Sequence, residues 1–333
     1  MVNFFYNSDK LQEYLQLPQI YTLDDLAYFL LFTKEQLHDF SYRKNEHYVT
    51  FLIPKKNSTE KRVINAPKKR LKMAQKLILK EILEKVPCSS ASAAFIKKEN
   101  GLLKNALTHK ENLFLLKMDF KNFFQNINEA KIIQIFENLG YSPYIALQLA
   151  KLCTFSKKLP QGGICSPYLS NLACYEFDKD ISSYCDEKNI AYTRYADDLL
   201  FSANDIDLLK NLKNDIYSYT KKHSVAGLNI QINHKKTKLI KNTSHKKVTG
   251  ITINDQKIKA SKKLKNTIRQ NIRYNLIHNQ FDNKLIGKIA FVISIEDKEY
   301  KNRIFKYCKR IENKFKLNKK ENQLLKVLYK MTK

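Results

Sequence analysis

The sequence predicts an α+β fold, and three observations lead to that class. Short apolar runs typical of strands alternate with longer segments in which apolar residues recur at helical spacing. Two pairs of strand-like runs are separated by short turns, as in antiparallel hairpins. Only 7 Gly and 7 Pro occur in 333 residues, and no Gly/Ser-rich or Pro-rich linker divides the chain. We therefore expect units that pack together without flexible tethers.

The first third of the chain predicts two helices and a hairpin. Thr22, followed three residues later by Asp25, forms a capping-box pattern that predicts a helix start. The segment 47–67 predicts a hairpin whose turn lies near Lys56–Glu60 and whose second strand ends at Pro67. From residue 68 onward a helix is predicted by apolar positions at helical spacing: Leu71, Ala74, Leu77, Ile78 and Ile82.

The middle of the chain predicts a strand followed by helices. The run "NLFLLKMDF" at 112–120 is short and apolar and has an acid near its end, which suits a buried strand. Asn128 and Gly140 mark the start and the end of a predicted helix. Ser166, as an N-cap before Pro167 at the first helical position, predicts the start of the next helix.

The second half predicts another hairpin, further strands and basic helices. "YTRYADDLLFSA" at 192–203 predicts a hairpin with its turn at two adjacent aspartates. Asn204 is the predicted cap of the amphipathic helix that follows. Strands are predicted at 227–233 and 246–260, and a basic helix at 261–280.

The charge balance is strongly basic. Lys and Arg number 60 against 32 Asp and Glu, which gives a formal net charge of +28. After residue 250 the chain holds 22 Lys and Arg against 7 Asp and Glu, so about half of the excess lies there. This predicts a polyanionic partner, nucleic acid first and an anionic membrane surface second. Ordinary solvated helix faces in a Lys-rich chain are the other interpretation.

The sequence also limits the location and the redox chemistry. No apolar run approaches the ~20 residues of a spanning helix, and the first ten residues lack the layout of a signal peptide. We therefore expect a cytoplasmic protein without a membrane partner. The six cysteines form no CxxC pair and no Cys/His cluster, which predicts reduced thiols and argues against zinc.

Three acids are candidates for a metal site. Asp197 and Asp198 share one turn, where unpaired carboxylates repel each other and a divalent cation converts that repulsion into binding. Asp119 lies at the end of the predicted strand 112–120, and a strand end can lie beside a neighbouring turn. Three carboxylates so placed are what two-metal phosphoryl transfer requires. Taken alone, the adjacent pair is also compatible with a solvated turn.

The chain resembles the reverse transcriptase family in five strings that occur in family order. They are "KRVINAP" at 61–67, "MDFKNFF" at 118–124, "LPQGGICSPYLSN" at 159–171, "YADD" at 195–198 and "GLNIQINHKKTKL" at 227–239. The resemblance covers about residues 20–255. It implies a right-hand polymerase with fingers at 1–112, a palm with an antiparallel sheet at 113–255, interleaved with fingers elements, and a basic helical thumb at 256–333.

The resemblance implies a role for each site residue. Asp119, Asp197 and Asp198, with the backbone carbonyl of Phe120, would hold two Mg²⁺ ions, with Mn²⁺ as the alternative. The incoming nucleotide would meet two cations at its phosphates, a loop at its base pocket and an aromatic steric gate at the sugar 2′ position. In that order these residues are Arg62 and Lys236 (or Lys235), Gln161 and Gly162, and Phe124. Without the resemblance they are compatible with surface cations, a turn and a core aromatic.

Two further strings resemble the retron type of this family. "NALTH" fits the NAxxH pattern that precedes the first catalytic string in retrons, and "VTG" fits the string after the catalytic hairpin. They contain Asn105, His109, Val248, Thr249 and Gly250, for which the resemblance implies a part in RNA binding. A retron enzyme copies part of its own structured noncoding RNA into single-stranded DNA, primed from an RNA 2′-hydroxyl, and the product stays linked to RNA.

The implied partners are the cognate noncoding RNA, its RNA-linked single-stranded DNA product, dNTPs and a separate effector protein that acts in antiphage defence. Two alternatives remain open. One is another bacterial reverse transcriptase, of the abortive-infection or diversity-generating type. The other is a nucleic-acid-binding scaffold in a toxin–antitoxin complex, in which synthesis is unimportant after assembly.

Overall fold

Helices and strands are both abundant along the chain, so the predicted α+β class is confirmed. The computed structural model describes residues 8–55, 59–97, 99–222, 228–241, 246–254, 256–296, 298–318 and 322–332. The chain forms two compact units, the first made of Met1–Gly101 and Phe114–Ile240 and the second of Leu102–Leu113 and Lys241–Lys333. The predicted ranges of fingers, palm and thumb stay a prediction.

The elements follow one another in mixed order. The helices are α1 (Ser8–Tyr14), α2 (Leu23–Leu30), α3 (Lys34–Tyr42), α4 (Lys44–His47), α5 (Lys69–Glu81), α6 (Gly101–Thr108), α7 (Glu129–Asn138), α8 (Pro143–Cys153), α9 (Ser166–Ala173), α10 (Tyr175–Glu187), α11 (Ile206–Lys222), α12 (Lys262–Ile277), α13 (Asn283–Ile295), α14 (Lys298–Phe315) and α15 (Gln323–Thr332). The strands are β1 (Tyr48–Pro54), β2 (Lys61–Pro67), β3 (Phe114–Asp119), β4 (Ala191–Tyr195), β5 (Asp198–Ala203), β6 (Lys238–Ile240), β7 (Lys246–Val248), β8 (Ile251–Asn254) and β9 (Lys257–Ala260).

Local sequence accounts for several of these boundaries. Thr22 and Asp25 form the predicted capping box of α2, because each side chain accepts a hydrogen bond from the backbone N–H of the other. Asn128 caps α7 as predicted, by accepting from the N–H of Lys131 at 3.0 Å. The hairpin of β1 and β2 ends at Pro67 as expected, and residues 56–58 of its turn lie outside the described residues.

Two predicted caps are wrong by one residue. Helix α9 begins at Ser166 itself, so Cys165 holds the N-cap position. The hydroxyl of Ser166 is buried beside Gly163, where it makes no cap. Helix α11 begins at Ile206, and the cap is Asp205, since its carboxylate accepts from the N–H of Asp207 at 2.8 Å. At α11 the two adjacent candidates, Asn204 and Asp205, have similar intrinsic cap preferences, so the sequence alone did not decide between them.

The prediction of a strand at 227–233 is also wrong, because the described part of this segment forms no strand. Within its described part, Leu228 and Ile232 form isolated bridges to Ile127 and Phe120, with no continuous ladder between them. Residue 227 lies outside the described residues. The segment therefore follows the chain that leaves β3, and β6 begins only at Lys238.

A four-stranded antiparallel sheet forms the centre of the first unit. Its strand order is β4-β5-β3-β6. Strands β3 and β5 are central and largely buried, with Leu115, Leu116 and Phe201 at 0% exposure. Helix α11 packs on β3 and β5, and α10 packs on β4. The strands that carry the candidate acids at their ends are therefore packed into an apolar core.

The second unit has its own sheet and core. Strands β7, β8 and β9 form a three-stranded antiparallel sheet, and Val248, Ile251 and Ile253 within it are fully buried. The unit also contains α6 and α12 to α15. Among the described residues, no helix is both long and apolar enough to cross a lipid bilayer. All six cysteines are free thiols, as predicted.

Candidate active site

Two of the predicted acids face each other across neighbouring strands. Asp119 is the last residue of β3 and Asp198 is the first residue of β5, and the antiparallel register pairs them directly. Directly opposed residues lie with Cβ atoms about 4.5–5.5 Å apart. Asp119 is buried, whereas Asp198 is exposed at the strand end. The sheet register therefore brings together two like charges that are 79 positions apart in the sequence.

The third acid lies in the turn of the same hairpin. Strands β4 and β5 are joined by Ala196 and Asp197, so the predicted hairpin is confirmed. The backbone carbonyl of Asp197 accepts a hydrogen bond from the N–H of Phe120 at 2.9 Å. This bond fastens the turn to the chain just beyond Asp119. The hairpin and the end of β3 thus place all three carboxyl groups at one end of the sheet.

Burial first, and then repulsion between the acids, raises the pKa values of Asp197 and Asp198. Burial raises the pKa of Asp197, and the charge of Asp119 adds to it. Asp198 is exposed as a residue, but protein atoms surround much of its carboxyl group. Loss of solvation first, and then the charges of Asp197 and Asp119, therefore raise its pKa to about 6. Negative charge in excess at this point destabilises the ionised acids. Such an excess is typical of cation-binding and catalytic sites.

Lys236 is the nearest counter-charge. Its ammonium donates to both carboxylate oxygens of Asp119, at 2.9 and 2.8 Å. Burial lowers the pKa of Lys236, but the hydrogen bond and the charge of Asp119 outweigh that effect, so the pKa is raised overall. Lys235, the alternative from the sequence, is exposed on the same short turn. Lys236 is therefore the lysine that contacts the acid cluster.

The chemistry of this cluster fits divalent cations. Within the described ranges, no three His, Cys, Asp or Glu side chains come together as a ready-made metal cage. Mg²⁺ does not require one, because it binds a few carboxylates and completes its shell with water and substrate phosphates. Asp119, Asp197 and Asp198 supply that number of hard oxygen ligands on adjacent elements. The gathering of these three carboxylates at one end of the sheet is the observation that supports the fit.

The predicted nucleotide-site residues lie in the same unit. Arg62 is exposed on β2, and its charge lowers the pKa of Asp197, so it lies within electrostatic reach of the acids. Phe124 is half-buried and opens a short turn after β3, with its ring 5.3 Å from that of Phe123. The carbonyl of Gln161 accepts from the N–H of Asn65 at 2.9 Å, which joins its loop to β2.

Gly162 shows why this loop contains glycine. Its φ is +124°, and an added Cβ would lie 2.8 Å from Cγ2 of Ile64 and 2.9 Å from the carbonyl oxygen of Asn65. Only a residue without a side chain allows the loop to approach β2 so closely. The hairpin that carries Arg62 and the loop that carries Gln161 are consequently in direct backbone contact.

A buried glutamine that the sequence did not reveal holds the same loop. Gln75 on α5 is fully buried. Its Oε1 accepts from the N–H of Ile164 at 2.9 Å, and its Nε2 donates to the hydroxyl of Tyr48 and the carbonyl of Leu152 at 2.9 and 2.8 Å. A glutamine on the apolar face of a predicted helix was the available signal, because buried polar groups require partners.

A second residue missed at the sequence level is Arg194, in the string "YTRYADD". It is fully buried and paired with Asp178 on α10. An arginine in the middle of an apolar strand was the signal, since a charge is almost never buried without a partner. The sequence could not show which acid would supply it.

The two retron strings lie in the second unit. Asn105 and His109, at α6 and just after it, are both fully buried. Val248 is buried as well, and Thr249 and Gly250 form the two-residue turn between β7 and β8, with φ of 44° and 92°. The hydroxyl oxygen of Thr249 is buried and has no hydrogen-bond partner among the described residues. The RNA-binding role of these five residues stays a prediction.

Comparison with known proteins shows what most of the chain is similar to. The family described as "Reverse transcriptase (RNA-dependent DNA polymerase)" matches residues 53–265. The retron Ec86 reverse transcriptase of Escherichia coli is 29% identical over 306 residues, which cover 91% of this chain and 93% of that protein. The retron Mx65 reverse transcriptase of Myxococcus xanthus is 30% identical over 260 residues, covering 72% of this chain and 59% of that protein.

Among solved structures, a telomerase from Candida albicans in complex with a fragment of telomeric RNA is similar with a TM-score of 0.46 and 13% identity. The match covers 85% of this chain and 63% of the telomerase. At this score the likeness adds nothing to an assignment of function.

Proposed function

Since the chain belongs to the reverse transcriptase family, as an RNA-directed DNA polymerase of the retron type, we propose that it copies its own structured noncoding RNA. The reaction would start from an RNA 2′-hydroxyl and give a branched, RNA-linked single-stranded DNA. The observation that supports the chemistry best is the direct pairing of Asp119 with Asp198, with Asp197 in the adjoining turn.

Asp119, Asp197 and Asp198, with the backbone carbonyl of Phe120, are the proposed ligands of two Mg²⁺ ions, for which Mn²⁺ could substitute. Bound there, the ions would lower the pKa of the attacking hydroxyl and neutralise the charge that builds on the transferring phosphate. The three side chains orient those charges, and the buried sheet beneath them keeps the geometry fixed.

The nucleotide would be held by residues of the same unit. Arg62 and Lys236 carry the positive charges that suit a triphosphate. Phe124 would contact the sugar and exclude a 2′-hydroxyl, so that deoxynucleotides fit better than ribonucleotides. Gln161 and Gly162 would line the pocket beside β2, where the loop already approaches the strand backbone closely.

The remaining parts of the proposal concern partners and place. The basic residues after position 250 suit a structured RNA, gripped through its phosphates and shape. The five residues of the two retron strings would contribute to that recognition. We propose a cytoplasmic enzyme that acts in antiphage defence with a separate effector protein.

The test is to express the chain together with its native flanking DNA, purify it and sequence the nucleic acid that copurifies. We expect a single-stranded DNA joined to RNA through a 2′–5′ bond, which a debranching enzyme releases. A protein-primed or template-independent DNA would instead support the abortive-infection type, and copying of a variable repeat would support the diversity-generating type.

A matched pair of variants separates synthesis from scaffolding. Asp197→Ala combined with Asp198→Ala should abolish both the DNA and phage protection while the protein still binds the RNA. Asp186→Ala on the exposed surface of α10 is the control and should change neither. Protection without DNA would favour the toxin–antitoxin scaffold.

A further inference from the structure

A charged side chain is completely buried beside the catalytic hairpin. Arg194 on β4 and Asp178 on α10 are both at 0% exposure. Nε and Nη2 of Arg194 donate to the two carboxylate oxygens of Asp178 at 2.8 and 2.7 Å. Asp178 also accepts from the hydroxyl of Tyr192 at 2.8 Å. These contacts satisfy the ion pair and leave Nη1 free for other acceptors.

Nη1 connects the ion pair to the catalytic turn. It donates to Oδ1 of Asn171 at 3.2 Å and to the backbone carbonyl of Ala196 at 3.1 Å. Asn171 is itself held, because its Nδ2 donates to the carbonyl of Ala94 at 2.8 Å. The guanidinium therefore reaches the turn from a buried frame that spans α9, α10 and β4.

Ala196 adopts a conformation that needs support. Its φ is 57°, in the left-handed region that residues with a Cβ rarely adopt, and hairpin turns with such a residue favour glycine there. The Ala196 carbonyl shares a rigid peptide plane with the N–H of Asp197. A hydrogen bond to that carbonyl consequently fixes the direction in which Asp197 leaves the turn.

The next peptide plane is held as well. The carbonyl of Asp197 accepts from the N–H of Phe120 at 2.9 Å, and its plane includes the N–H of Asp198. Two successive planes of the turn are thus fixed from outside it, one by Arg194 and one by the chain after β3. Together they fix the backbone from which both carboxylate side chains project.

We propose that Arg194 is a positioning residue for the metal-binding carboxylates, and that it acts through the carbonyl of Ala196. The inference rests on the proposed role of Asp197 and Asp198 as metal ligands. A buried ion pair alone does not indicate such a role, because apolar replacements are often as stable. The bond from Nη1 to the turn is what distinguishes positioning from support.

The test is Mn²⁺ binding to the full chain, without nucleotide or RNA, in the variant Arg194→Lys. Lysine keeps the charge opposite Asp178, but one ammonium nitrogen cannot replace the planar fork that serves Asp178 and Ala196 together. We expect the Kd for Mn²⁺ to rise roughly 10- to 100-fold. The kcat of DNA synthesis should fall with it, while KM for the RNA template is unchanged.

Two further variants separate positioning from general damage. Tyr192→Phe removes a hydrogen bond from the same buried network but does not touch the turn, so its Kd should stay within about twofold of the wild type. Adding Ala196→Gly to Arg194→Lys should recover part of the lost Mn²⁺ affinity, because glycine adopts a positive φ without support. Both are compared at temperatures well below their melting points.

The results can overturn the proposal in distinct ways. Wild-type Mn²⁺ affinity in Arg194→Lys, while Asp197→Asn loses it, would remove the positioning role alone. Wild-type affinity in Asp197→Asn as well would remove the metal-ligand role. An equal loss in Tyr192→Phe would reduce Arg194 to a stabilising residue. If Arg194→Lys does not fold, Arg194→Met combined with Asp178→Leu replaces the buried ion pair by apolar side chains and removes the bond to the Ala196 carbonyl. An unchanged Kd for Mn²⁺ in that variant also contradicts the proposal.

Discussion

The ammonium of Lys236 lies 2.9 and 2.8 Å from the two carboxylate oxygens of Asp119. It therefore occupies, in the free protein, both oxygens of an acid that we propose as a metal ligand. Asp119 is buried, so this contact is its main compensation for burial. A cation bound at Asp119 would compete with the ammonium of Lys236 for the same carboxylate, and a displaced Lys236 would be available to a phosphate.

Replacement of Lys236 by Met should therefore have two opposite effects. Mn²⁺ should bind the nucleotide-free protein more tightly, roughly three- to tenfold, because a competing cation is gone. KM for dNTP should rise, because a phosphate contact is lost. Lys235→Met is the matched control, since that side chain is exposed on the same turn. Weaker Mn²⁺ binding in Lys236→Met would contradict the competition.

Neutralising Asp198 should stabilise the metal-free protein while it abolishes synthesis. The pKa of Asp198 is raised to about 6 in the folded chain, so its ionisation opposes folding as the pH rises from about 4 to 6. Asp198→Asn should melt roughly 1–3 °C higher than the wild type at pH 7.5 without metal. The difference should shrink as the pH falls from about 6 to about 4 and vanish below about pH 3, where the wild-type carboxyl is protonated in both the folded and the unfolded state.

Thermal melts of Asp198→Asn and the wild type at several pH values measure whether the variant is the more stable protein. Asp186→Asn, which removes an exposed acid on α10, is the control variant for these melts. A lower melting temperature for Asp198→Asn at pH 7.5 would show that Asp198 makes a stabilising contact as an anion.

Gln75 should affect nucleotide binding although it is buried away from solvent. Gln75→Leu leaves the N–H of Ile164 and the carbonyl of Leu152 without partners, at a cost of roughly 2–4 kcal/mol. The loop that carries Gln161 should shift, and KM for dNTP should rise roughly tenfold. Tyr48→Phe removes one other partner of Gln75 and should leave KM unchanged. Steady-state kinetics measure this KM. A folded Gln75→Leu protein with the wild-type KM for dNTP would contradict the connection between Gln75 and the nucleotide pocket.

Two glycine substitutions should change the free energy of unfolding in opposite directions. Gly162→Ala places a Cβ 2.9 Å from the carbonyl oxygen of Asn65 at a φ of +124°, and it should cost roughly 1–3 kcal/mol and lower activity. Gly287→Ala, inside α13 with open space around the new Cβ, should stabilise by about 0.5–1 kcal/mol without changing activity. Chemical denaturation of both variants measures the difference, and equal effects would mean that the loop has room to move.

Local signals in the sequence predicted much of the fold. The hairpins, the strand at Phe114–Asp119 and the capped helices α2 and α7 depend on neighbours within a few residues, so they were accessible. The family match together with the antiparallel sheet confirms the right-hand polymerase fold that the motifs implied. The caps of α9 and α11 were misplaced by one residue, because adjacent positions in the sequence were both compatible with a helix start.

For the candidate site, too, the sequence predicted some features and not others. The strings gave the identities of Asp119, Asp197 and Asp198, but not the partner of Lys236, nor the buried frame around Arg194. No local pattern joins Gln75 to Ile164 or Asp178 to Arg194, since each pair is far apart in sequence. A sequence can show that a buried polar residue needs a partner, but not which residue supplies it.

By itself, then, the sequence determined the family, the acids and the strongly basic balance, because residue types and their spacing carry that information directly. The tertiary structure alone decided that Asp119 faces Asp198, that Lys236 closes on Asp119 and that Arg194 supports the turn at Ala196. The physical reason is that sheet register and burial set these contacts. A strand pairs in the correct register only when its apolar residues pack into the core. A charge that is buried in this way then requires a counter-charge from another part of the chain.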